Sequence, residues 1–135
     1  MLTARSVTLL AVTIALAVGV LGSTTNYLGA RYTPNKAHNL TIGTRQYGDS
    51  LVYQESIVKK SAWLRVVEVN KTFNVTNNYV ITQVQALDQK SDGTGAIATR
   101  LGGGPGWSNI TLRFKSQRSH GINFLLRIYA KPRYL

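Results

Sequence analysis

The positions most suggestive of chemistry are Gly102-Gly103-Gly104-Pro105-Gly106, which lead through Trp107 and Ser108 into an alternating run, Asn109–Phe114. A glycine loop cradles phosphate when its N–H groups wrap the anion and a helix N-terminus faces it, with a Lys-Ser/Thr pair in the nucleotide case. Here a strand pattern follows instead of a helix, and Pro105 removes one N–H donor. The glycines therefore read as a structural turn in which the backbone reverses at positive φ.

Other chemical candidates are sparse. The chain has no cysteine, so thiol catalysis and thiolate metal sites are excluded. A metal site would need both imidazoles, His38 and His120, together with carboxylates from Asp49, Glu55, Glu68, Asp88 and Asp92. Nothing shows the close histidine spacing of a metal-binding helix. Asp88–Gly93, DQKSDG, lacks the alternating ligands and closing glutamate of a calcium loop and reads as a polar hairpin turn. No Gly-x-Ser-x-Gly elbow singles out a serine nucleophile. The expectation is a protein that is not an enzyme and takes no metal and no cofactor.

The elements that must carry these residues are strands. In Asn109–Phe114, Ile110, Leu112 and Phe114 alternate with Asn109, Thr111 and Arg113. In Gly121–Ala130, Ile122, Phe124, Leu126 and Ile128 share one face, while Leu125 falls on the polar side. Such period-two runs are strands with one buried face. Further strands are expected over His38–Arg45, Leu51–Val58, Leu64–Phe73, Asn78–Leu87 and Thr94–Leu101, with Ile42, Tyr53, Val67, Val69, Val80, Val84 and Ile97 in the core. Turn clusters separate them at Tyr47-Gly48-Asp49, Asn77-Asn78, Ser91-Asp92-Gly93, Gly102–Gly106 and Ser119-His120-Gly121. The fold class is all-β, a single antiparallel β-sandwich or barrel of about seven strands.

The N-terminus points to the compartment. Arg5 precedes the uncharged stretch Ser6–Thr25, whose apolar part is Val7–Leu21, and small residues around Gly22 suit cleavage after it. This is the layout of a secretory signal peptide over residues 1–22, favoured over the rival reading, an uncleaved membrane anchor, because the apolar part is shorter than the roughly 20 residues of a span and its exit is polar and small. An extended lead-in would follow over residues 23–37, then one domain over 38–135, with no membrane span after cleavage. Asn39, Asn70, Asn74 and Asn109 head the four Asn-x-Ser/Thr sequons, acceptors that matter on the secretory route. Asn39 and Asn109 fall on outward faces by parity, and Asn70 and Asn74 are placed at or beyond a strand end. The expected product is a secreted, extracellular glycoprotein.

Charge suggests the partner. The net charge is +11, and beyond Asp92 there is no acid while seven Lys/Arg follow. Such a surface attracts anionic glycans or other anionic surfaces, and in this compartment nucleic acid is not expected. A protein partner of unknown kind is compatible with the same sequence. Arg113 and Lys115 point outward from one strand and Arg127 from the next. If the two strands form a hairpin, these charges converge, with Arg118 between them and Lys131 and Arg133 beyond. The arrangement reads either as an anionic-polymer patch or as a solvated face whose charges deter edge pairing.

An ordered set of short motifs resembles an insect family, the multiprotein bridging factor type-two family, whose members are often labelled salivary secreted peptides. The set is Gly43-Thr44-Arg45 with Asp49, Ala86–Gln89, Gly102–Gly106, Ser116–Arg118, Gly121 and Ile128-Tyr129. The resemblance covers roughly residues 40–130. It implies a small single-domain secreted protein and supplies no catalytic or binding residues. The family name implies a different role, that of a transcriptional co-activator bridging a nuclear receptor and the general TATA-box machinery.

Overall fold

A computed structural model of the chain describes residues 34–134. The expected signal peptide and most of the lead-in lie outside the described residues. Seven strands follow in order: β1 (Leu40–Gly43), β2 (Ser50–Lys59), β3 (Glu68–Asn74), β4 (Tyr79–Asp88), β5 (Ile97–Gly103), β6 (Asn109–Lys115) and β7 (Ile122–Pro132). None of the described residues is helical. The all-β expectation holds, and the sandwich is the form taken.

One sheet has the order β1-β4-β7-β2 and the other β3-β6-β5, with every pairing antiparallel. The cleanest alternation belongs to β6, the central strand of the three-stranded sheet, and β7, one of the two inner strands of the other. Ile110, Leu112 and Phe114 of β6 and Ile122, Phe124, Leu126 and Ile128 of β7 are all buried in one core. Phe114 meets Phe124 across the gap at 5.1 Å between ring centroids, which ties the middle of one sheet to the middle of the other. Outward residues on both strands are polar or charged, apart from Leu125, as parity requires.

Three expectations are corrected. Val80 is not a core residue. The β4–β7 register shifts between Ile81 and Gln83, so Ile81 and Thr82 are both buried and the alternation changes phase. Ile97 is 48% exposed, because Ala96 and Ala98 take the inner face of that segment. The third concerns a boundary: β3 begins at Glu68 rather than Leu64, since Leu64 holds φ of 59° and turns the chain. Asn70 consequently lies inside β3 and not at its end, facing outward.

Gly102–Gly106 ends β5 and turns the chain into β6. Gly103, Gly104 and Gly106 have φ of 70°, 116° and 88°, and their N–H groups serve the fold. Gly104 N–H donates to the Asn109 carbonyl, and Gly106 N–H crosses to the Ile81 carbonyl in the other sheet, at 2.8 and 2.9 Å. Ile81 N–H returns a bond to the Trp107 carbonyl at 2.9 Å. The turn is thus a clasp between sheets. A Cβ at Gly103 would overlap the Asn109 carbonyl, whereas one at Gly102 would meet nothing. Gly103→Ala should therefore destabilise the protein by about 2–3 kcal/mol and Gly102→Ala by less than about 0.5 kcal/mol in urea unfolding. Equal midpoints for the two variants would contradict this account of the turn.

Candidate functional site

The motif residues gather at the two ends of the sandwich. At the clasp end, Asp49 is buried, its side chain only 1% exposed. Its carboxylate accepts from Arg45 Nε and Nη2 at 2.9 and 2.7 Å, Gln46 N–H at 2.7 Å and Thr82 Oγ1 at 2.8 Å. The Arg45 guanidinium stacks over the Tyr129 ring, 3.9 Å from its centroid. Gly43 lies so close to the Thr82 carbonyl and the Pro105 ring that a Cβ there would overlap both. Gly43, Arg45, Asp49, Pro105 and Tyr129, scattered along the sequence, surround the β4 bulge.

At the opposite end the central group is Asp88, also buried. It accepts the backbone N–H groups of His38 and Lys90 at 2.9 and 3.0 Å, while its own N–H donates to Asn39 Oδ1 at 2.8 Å. The His38 ring donates from Nδ1 to the Gly95 carbonyl at 3.2 Å. Gln117 Nε2 donates to the carbonyls of Gly93 and Gly95, and Arg118 Nη1 donates to the Leu64 carbonyl at 2.7 Å. Ser116 closes the same end by accepting Val67 N–H on its Oγ.

A second ion pair bridges the sheets at one side. Tyr53 and Glu55 of β2 face inward toward Lys71 of β3, and the Glu55 carboxylate takes hydrogen bonds from both Lys71 and Tyr53. These bonds hold the Glu55 carboxyl below its ordinary range and raise the Lys71 ammonium and Tyr53 phenol above theirs. Inward charges at edge strands also discourage a further strand from adding there.

These contacts build and brace the sandwich. Among the described residues no three His, Asp or Glu side chains converge to hold a metal ion. The sequence placed Asp49 and Asp88 in turns and among the possible metal ligands, and did not show that their side chains are enclosed. The signal for Asp88 was present in the turn chemistry, since an Asp side chain commonly accepts the backbone N–H two residues on, as Asp88 does from Lys90, whereas Asp49 reaches back to Gln46.

The basic residues are not brought together as expected. β6 and β7 form no hairpin, because the Ser116–Gly121 connection carries the chain from one sheet to the other. Arg113 and Lys115 point outward from the three-stranded sheet and Arg127 outward from the four-stranded one, where it bonds Gln54 Oε1 at 3.1 Å. The three charges occupy opposite faces of the molecule. Arg118 sits in the connection, bonded to Leu64.

The sequon asparagines are all exposed. Asn70, Asn74 and Asn109 share the outer face of the three-stranded sheet, with Asn70 opposite Arg113 and Asn74 opposite Asn109. Asn39 lies just before β1 at the far end of the other sheet.

Fold and site together define a small antiparallel two-sheet sandwich whose sheets are clasped at their ends by backbone-bonded loops. The chain matches the family model described as "Transcription activator MBF2" over residues 42–130, and it belongs to that family. It is 53% identical over 97 residues to "Probable salivary secreted peptide" of Bombus ignitus, covering 72% of each chain. No solved structure matches. The family resemblance read from the short motifs is borne out, and the structure shows what most of those residues do: they hold the ends of the sandwich.

The Arg45 contact, aided by Gln46 N–H and Thr82 and opposed by burial, keeps the Asp49 carboxyl well below the usual carboxylate range. A depressed folded-state value stabilises the fold above the unfolded value of about 3.9 and is lost as pH falls toward the folded one. Asp49→Asn should accordingly melt below the parent at neutral pH, with the gap narrowing steadily below about pH 4. A gap that stays constant with pH would assign the effect to shape rather than charge.

Proposed function

We propose that this chain is a secreted, non-enzymatic β-sandwich protein of saliva or body fluid that holds anionic polymers on a basic surface. The observation that carries the reading is the exposure of all four sequon asparagines, three of them on one sheet face, as a glycoprotein of the secretory route requires. The name of the Bombus ignitus relative supports the same compartment. The non-catalytic reading rests on the employment of Asp49, Asp88 and Glu55 in structural bonds.

Arg113 and Lys115 are the pair best placed for an anionic chain, on neighbouring outward positions of β6 within one screening length of each other. Arg127 contributes on the opposite face only. Because Asn70 stands opposite Arg113, a glycan there would lie beside this pair and limit access to it. The family's description as a transcription activator favours a second reading, a transcriptional co-activator working through protein contacts.

One preparation separates these readings. Protein expressed in insect cells should appear in the medium, begin at Ser23 and carry glycan on sequon asparagines by mass spectrometry. After enzymatic deglycosylation, Arg113→Ser/Lys115→Thr should leave a heparin column at lower salt than the parent, by more than Arg127→Thr does. Nuclear retention of a chain with an intact Met1 would favour the co-activator. Equal elution of parent and double variant would reduce Arg113 and Lys115 to a solvated face.

A further inference from the structure

The end of the sandwich opposite the clasp presents a combination that the family motifs do not account for. Between β2 and β3 the chain runs Lys59-Lys60-Ser61-Ala62-Trp63-Leu64-Arg65-Val66. Trp63 is 83% exposed and Leu64 52%, with Val58 and Val66 also exposed beside them. Leu64 has φ of 59°, a conformation uncommon for a bulky non-glycine residue.

The loop is held in this shape. Leu64 N–H donates to Ser119 Oγ at 2.8 Å, Arg118 donates to the Leu64 carbonyl at 2.7 Å, and Ser119 N–H donates to the Arg65 carbonyl at 2.8 Å. Ser119 itself has φ of 65°. A loop with no task could relax and fold its leucine inward. Here the backbone bonds fix an apolar tip in water, and strain kept by surrounding contacts is a pointer to function.

Beside the tip is an open depression of about 260 Å³, lined in part by Val58, Lys59, Lys60, Lys90, Ser119 and His120. No carboxylate lines it. Among the described residues, Lys59, Lys60, Arg65, Lys90 and Arg118 form no ion pair. An apolar tip of tryptophan and leucine is therefore edged by cations that form no ion pair, with Asp92 near enough to Lys90 to feel its charge.

We propose that this end of the molecule docks on a phospholipid bilayer with anionic headgroups. Tryptophan is suited to the headgroup level, where its ring is buried and its N–H stays wet. Leucine adds apolar area below it, while lysine and arginine stems lie along the interface with their charged heads toward lipid phosphates. Basic residues near an anionic leaflet are attracted within a screening length. A sulfated glycan would match the cations, but Leu64, Val66 and Val58 offer its hydroxyls no hydrogen bonds. The site shares no residue with the Arg113–Lys115 face and does not depend on the reading of that face.

The test uses the full secreted protein and vesicles of phosphatidylcholine with and without phosphatidylserine, read by co-sedimentation and tryptophan emission. The parent should bind the phosphatidylserine vesicles with a blue shift and bind the neutral ones weakly. Trp63→Ser should reduce the bound fraction and remove most of the shift. Lys59→Ser/Lys60→Ser/Lys90→Ser should lose the preference for phosphatidylserine, whereas Arg113→Ser/Lys115→Thr should bind as the parent does. Leu64→Gly controls for folding: glycine relieves the positive φ, so this variant should melt higher than the parent yet bind less. Absence of binding to phosphatidylserine vesicles at low salt would overturn the proposal. So would binding that Trp63→Ser leaves unchanged, or heparin retention that Trp63→Ser abolishes in a protein that ignores vesicles.

Discussion

The structure depends on the backbone of Ile81. Its N–H and carbonyl both reach out of the four-stranded sheet, to Trp107 and from Gly106, at the point where β4 bulges. Two sheets without a disulfide are joined by side-chain packing, which sets their spacing but not their alignment. Backbone hydrogen bonds across the gap have direction and supply that alignment. Gly103, Gly104 and Gly106 bring the turn close enough to reach Ile81, and Gly43 leaves room for Pro105 behind it. Arg45, Asp49 and Thr82 then pin the bulge from the other side.

The use of acids inside the fold explains the character of the surface. The chain has five carboxylate side chains. Asp49 and Asp88 are enclosed among backbone and side-chain donors, and Glu55 is paired with Lys71. Glu68 and Asp92 are left to offset the remaining lysines and arginines, so the exterior is strongly positive although no run of basic residues is present. The charge then concentrates by default where loops collect: Lys59, Lys60, Arg65, Lys90 and Arg118 at one end, Arg113 and Lys115 on one face.

What could be read from the residues follows from what alternation encodes. Parity assigns a face, so the inward sets of β6 and β7 and the outward position of Arg113, Lys115 and Arg127 were legible. Parity is silent on which sheet a strand joins, and β6 and β7 separate for that reason. A bulge changes phase without marking the sequence, hence Val80 read as core while Ile81 and Thr82 take the buried places. Leu64 read as the start of a strand because leucine with following valines fits that pattern. Its positive φ is imposed from Arg118 and Ser119, more than fifty residues away.

The claim on which the account turns is that the glycine-rich turn holds the two sheets together, and native-state hydrogen exchange of single amides reports on it directly. Gly106 is exposed and lies in a turn, where amides ordinarily exchange through local opening. If its bond to Ile81 is a clasp, the Gly106 and Ile81 amides should be protected to nearly the same degree as those of Leu126 and Ile128 in the core of β7. Exchange of Gly106 at the rate of loop amides such as that of Gly93, with Ile81 little better protected, would show that the sheets are aligned by packing alone.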